Sequence, residues 1–107
     1  MAQFDDRRDA FEKKFAHDEE LRFKATARRN KLLGLWAAAK LGRTGAEADA
    51  YAKSVVMSDF EEAGDDDVLR KVKGDLDAAG VAESETALRG RMIELLAQAV
   101  EEIQAGR

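Results

Sequence analysis

The chain has 107 residues, enough for one small domain and too few for two separate cores. With 45% hydrophobic residues, 37% charged residues and no proline, it favours heavily charged helices over sheets or a proline-rich linker. The absence of cysteine and the single histidine exclude disulfides, thiolate metal sites, thiol nucleophiles and multi-histidine metal centres.

No run approaches the roughly 18 to 20 apolar residues that cross a bilayer, and MAQFDDRRDAFEKK lacks a signal-peptide hydrophobic stretch. A soluble intracellular chain without membrane insertion is expected. The net charge of −4 is unevenly spread: residues 1–31 carry nine Lys/Arg and seven Asp/Glu, and the remaining nine Lys/Arg face fifteen Asp/Glu. The front is basic and the remainder acidic.

Residues 1–17 are densely charged, and besides Met1 their large apolar side chains are Phe4, Phe11 and Phe15. At about 100° per residue, Phe11 and Phe15 project within roughly 20° of Phe4, so a helix here would align three rings in one stripe. Asp9 and Lys13, four residues apart, add only a few tenths of a kcal/mol. An isolated segment this short is marginal as a helix, so it is expected to be disordered when free and to fold in a groove that accepts the rings. From the residues alone, the rings serve equally well as a core extension or as a partner-binding arm.

The first long helix is expected over 18–41. Leu21, Ala25, Leu32, Leu35, Trp36 and Ala39 recur at helical spacing, and Phe23, Ala27, Gly34, Ala38 and Leu41 widen the face. Asp18 is the expected N-cap, Glu19 and Glu20 suit the first turn, and Gly42 is the stop. Trp36, with Leu32, Leu33 and Ala39, reads as core.

Thr44-Gly45-Ala46-Glu47 has the pattern of a capping box and opens a second helix over 45–62, with Ala48, Tyr51, Ala52, Val55, Val56 and Phe60 on its apolar face. Asp65 is expected to cap a third helix over 66–79, buried through Val68, Leu69, Val72 and Leu76 and ended by Gly80. Ser84 caps the fourth, over 85–105, where Leu88, Met92, Leu95, Ala99 and Ile103 form a seam broadened by Ile93, Leu96 and Val100. Four amphipathic helices with short turns imply an all-α, antiparallel four-helix bundle over 18–107, preceded by the arm 1–17.

Candidate chemistry is sparse. Asp59, Glu61, Glu62, Asp65, Asp66 and Asp67 crowd around Gly64 and suggest calcium, but no register supplies the closing glutamate of an EF-hand, so a solvated, helix-capping turn is the simpler reading. His17 beside Asp18 could titrate near neutrality, and a surface histidine is its plainer role. Arg22, Lys24, Arg28, Arg29 and Lys31 could contact phosphates. A pI of 5.1 and the lack of a helix-turn-helix or aromatic RNA-binding pattern favour an acidic protein partner or a solvated face. No Gly-rich phosphate loop, nucleophile beside a base or carboxylate pair is visible, so no enzyme, cofactor or metal is expected.

Phe4-Asp5-Asp6-Arg7, Lys14-Phe15-Ala16-His17-Asp18, Glu20-Leu21, Phe23-Lys24-Ala25, Ala27-Arg28-Arg29-Asn30, Leu32-Leu33-Gly34 and Trp36-Ala37 together resemble the alphaproteobacterial ATPase inhibitor zeta subunit, and Ser58-Asp59-Phe60-Glu61-Glu62 is similar to it as well. The resemblance implies a regulatory inhibitor of the F-type ATP synthase, not an enzyme, with a mobile N-terminal segment. It implies a cytoplasmic protein held at the inner membrane through the synthase, monomeric when free and without nucleic acid. It also implies that the arm enters a catalytic α/β interface of the soluble head, becomes helical against those subunits and the central shaft, and stops hydrolytic rotation. Phe4, Phe11 and Phe15 would then fill apolar pockets, and Arg7, Arg8, Lys13 and Lys14 would pair with acidic groups. The alternative from another class is a small helical ligand- or nucleic-acid-binding module that uses the basic first helix.

Overall fold

A computed structural model of the chain describes residues 19–59 and 65–106. Within them four helices follow one another, with no strand among the described residues: α1, Glu19–Lys40; α2, Gly45–Ser58; α3, Asp66–Ala78; and α4, Glu85–Gln104. The all-α fold is the expected one. Gly34 of α1 packs on Ala52 of α2, and the Tyr51 hydroxyl of α2 donates to Asp75 of α3. The Arg28–Glu102, Trp36–Arg91 and Lys40–Glu83 contacts run α4 antiparallel to α1. α1 packs chiefly on α2 and α4, and α3 packs on all three.

The turns follow from glycine. At the ends of α1 and α3, Gly42 (φ 77°) and Gly80 (φ 75°) adopt the left-handed conformation that costs other residues energy. The Arg43 amide then donates to the Ala38 carbonyl at 2.9 Å and the Val81 amide to the Leu76 carbonyl at 2.9 Å, closing two Schellman turns. Val81 packs back onto the core, as the residue after such a turn often does.

The helix starts divide. Ser84 accepts the Ala87 amide at 3.0 Å, as expected of a cap. Thr44 makes no side-chain cap bond, and the Glu47 amide reaches the Thr44 carbonyl instead, at 3.1 Å. The left-handed Gly45 (φ 55°) bends the entry away from the geometry of a capping box. Asp65 does not cap α3 either, because its carboxylate is committed to Arg29. α2 ends at Ser58, earlier than the expected 62. The Ser54 and Ser58 hydroxyls donate to carbonyls three residues back, and the Asp59 amide reaches Val56 in a tightened last turn. Asp18 and Phe60 lie outside the described residues.

The core joins Leu33, Ala37 and Ala38 of α1, Tyr51 and Val55 of α2, Val68, Leu69, Val72 and Leu76 of α3, and Leu88 and Met92 of α4. The stripe of α3 is buried as its pattern requires. On α1 the buried face is rotated from the expected one. Leu33 and Ala37 are deep, Leu32, Leu35 and Trp36 are half-buried, and Ala39 and Phe23 (62% exposed) face outward. The rotation follows Arg29 and Asn30, which are buried along with Ala25, Gly34 and Ala38 of the expected face. On α4, Ile93 is 71% exposed instead of broadening the seam.

Candidate partner interface

The arm residues singled out for partner binding, Phe4, Arg7, Arg8, Phe11, Lys13, Lys14 and Phe15, lie outside the described residues, as does His17. The described part of the front begins at the first turn of α1, so the fold shows what the arm is attached to. Phe23, Lys24, Ala27 and Arg28 of α1 and Ile103 of α4 line an open cleft of about 470 Å³ at that end. Lys24 is held by Glu20 at 2.9 Å, and Arg28 by Glu102 at 3.4 Å across to α4. The end of the bundle nearest the arm is therefore an apolar patch rimmed by ion pairs.

α1 is pinned to the body one turn further on by a buried guanidinium. Arg29 is 3% exposed; its Nε and Nη2 donate to Asn30 Oδ1 at 3.0 and 2.8 Å, and Nη2 also donates to Asp65 Oδ1 at 2.9 Å. A fixed, always-charged fork satisfied by two acceptors is a form in which a buried cation is tolerated. The Arg29 hydrogen bond holds the Asp65 carboxyl below the usual carboxylate range, against the opposing effect of partial burial. Asp59, at the end of α2, is shifted the other way. Loss of water raises it, and the Asn30 amide and Arg29 only partly offset the rise. Asn30 Nδ2 forms no close hydrogen bond, so its pull on Asp59 is that of a nearby dipole.

This geometry dissolves the basic helix as a single patch. Arg29 is internal, Lys24 and Arg28 are paired, and Arg22 and Lys31 remain on different parts of the exposed surface. The acidic turn is similarly occupied: Asp65 faces Arg29, Asp66 faces Arg89 at 3.1 Å, and Asp67 faces Arg70. Among the described residues no group of acidic or histidine side chains is placed to hold a metal ion, and no helix is long and apolar enough to cross a membrane. Glu61 and Glu62 lie outside them.

Sequence reasoning missed the Arg29–Asn30–Asp65 cluster. Its only signal was an Arg-Asn pair at helical spacing between Ala25 and Leu33, inside what reads as an apolar stripe.

No curated protein matches the chain. A solved structure titled "Solution NMR structure of the protein" is similar to it, with 49% identity over 81% of this chain and 99% of that one and a TM-score of 0.72. Residues 1–102 match the family described as ATPase inhibitor subunit zeta, a match that takes in the arm as well as all but the end of α4. The chain therefore belongs to the ATPase inhibitor zeta family, and its general role is that of an inhibitor.

Proposed function

We propose that the protein is a regulatory inhibitor of the F-type ATP synthase that blocks ATP hydrolysis through residues 1–17, with residues 18–107 as the body that carries them. The observation that supports this reading most strongly is the family match running through the arm, where the spacing of Phe4, Phe11 and Phe15 would align the rings on one face if the segment became helical. The arm enters a catalytic α/β interface of the soluble head. Its three rings fill apolar pockets, and Arg7, Arg8, Lys13 and Lys14 meet acidic groups at the rim. Ordering such a segment costs a few kcal/mol, and buried aromatic anchors are among the contacts large enough to offset that cost.

The body serves as the handle. Helix induced in the arm would lead toward α1, an element already fixed by Arg29 and by packing on α2 and α4. A wedge that stiffens against a rotating shaft has to transmit force to something rigid, and α1 is suited to that task. The test is ATP hydrolysis by the soluble head titrated with the full chain and with a chain lacking residues 1–17. The truncated chain is expected to lose inhibition while its thermal unfolding stays cooperative. Equal inhibition by both chains would exclude the arm as the blocking element.

A further inference from the structure

α1 and α2 approach closely at Gly34, where an added Cβ would sit 2.5 Å from the Ala52 Cα. Beside that contact a cleft of about 370 Å³ opens between the two helices, lined by Lys31, Asp49, Ala52, Lys53 and Val56. Its lysines differ from the others described. Lys24, Lys40, Lys71 and Lys73 each lie 2.6 to 3.7 Å from a carboxylate. Lys31 and Lys53 form no ion pair with a described residue, although Asp49 stands four residues before Lys53 at a spacing that permits one.

Two exposed lysines and a single carboxylate line the cleft, which leaves it with an excess of positive charge. A further carboxylate entering the cleft would offset that excess, and half-buried Val56 and the Ala52 wall would receive the methylenes of its stem. The charge suits one or two acidic side chains better than a phosphate array. Asp49 and the net charge of −4 both oppose a polyanion.

We propose that the Lys31–Lys53 cleft is a second contact between the body and its protein partner, receiving an Asp or Glu side chain from the ATPase head that the arm engages. This contact rests on the function proposed above. It lies on the body, apart from the arm, and it makes docking of the chain salt-dependent through residues that take no part in blocking rotation.

The experiment is inhibition of ATP hydrolysis by the soluble head, titrated with the full-length chain and with Lys31→Glu/Lys53→Glu, Lys31→Arg/Lys53→Arg and, as a control on α3, Lys73→Glu. All chains are checked for unchanged circular dichroism and thermal unfolding. The double reversal is expected to raise the half-inhibitory concentration about tenfold at low salt and to flatten its salt dependence, as loss of steering charges does. The arginine pair is expected to restore potency, and Lys73→Glu to leave it within about twofold. Wild-type potency in the double reversal would overturn the contact while leaving the inhibitory function standing. Failure of the wild-type chain to slow hydrolysis would overturn both. Tight RNA or duplex DNA binding at physiological salt that the double reversal abolishes would assign the cleft to a polyanion and overturn the contact as stated.

Discussion

α1 is held differently on its two sides. Against α2 the contact is apolar and close, with Gly34 on Ala52 and Val55, so its strength depends on volume. Against the start of α3 the contact is a buried guanidinium on Asp65, so its strength depends on charge and on the partners that satisfy it. One helix fixed by two unlike attachments resists different perturbations at each.

The volume side carries the largest expected effect. Gly34→Ala places a methyl where the Ala52 backbone already stands, so α1 and α2 must move apart. A cost of about 2 to 3 kcal/mol is expected, read in urea unfolding as a lowered midpoint at unchanged slope. Gly74→Ala is the control, because nothing lies within 4 Å of an added methyl there and the change favours helix. Equal behaviour of the two variants would break the contrast.

The charged side comes next. Arg29→Met keeps much of the volume but leaves Asn30 Oδ1 buried without its donor. A loss of about 1 to 3 kcal/mol is expected. Unlike Gly34→Ala, it should make the variant's deficit smaller as pH falls below about 5, because Arg29 favours the charged forms of both Asp65 and Asp59. Differential scanning calorimetry across pH separates the two variants.

Helix entries sharpen the comparison at a smaller scale. Ser84→Ala is expected to cost about 1 kcal/mol, because it removes a formed cap bond. Thr44→Ala, which removes none, is expected to cost no more than a few tenths. Equal losses would mean that the Thr44 hydroxyl caps α2 in solution.

The smallest effects are those of two carboxylates with opposite signs. Asp65 is lowered, so its contribution to stability is present above the ordinary carboxylate pKa near ~4 and is lost as pH falls through its folded value. Asp59 is raised, so its contribution is present below that ordinary value and is lost as pH rises through its folded value. Asp65→Asn should therefore destabilise at neutral pH, and Asp59→Asn should stabilise there, each by less than about 1 kcal/mol given their access to water. Both differences should shrink toward pH 3, and NMR titration of the two carboxyls checks the directions.

The sequence made some of these features legible and hid others for physical reasons. α3 could be read residue by residue, since its buried positions are all large and apolar. α1 was placed within a residue at its C-terminal end, yet its buried face was turned, because two of its inward positions, Arg29 and Asn30, look polar in a pattern search. Arg29 cannot be told from the exposed Arg22 or Lys31 until Asp65, 36 residues away, is brought beside it. The Thr44 and Asp65 caps failed for a related reason. Capping depends on local geometry, and a left-handed glycine in one case and a long-range partner in the other took it away. The arm's anchors were read from ring spacing and family likeness alone, and the Lys31–Lys53 cleft needed two helices side by side.

The most direct measurement places a photoreactive phenylalanine analogue at Phe11 of the full-length chain, bound to the soluble head under hydrolysing conditions, and identifies the cross-linked peptide by mass spectrometry. The account predicts adducts at a catalytic α/β interface, in proportion to the inhibition observed. Full inhibition with adducts only on the chain's own helices, or on the outer surface of the head, would contradict it.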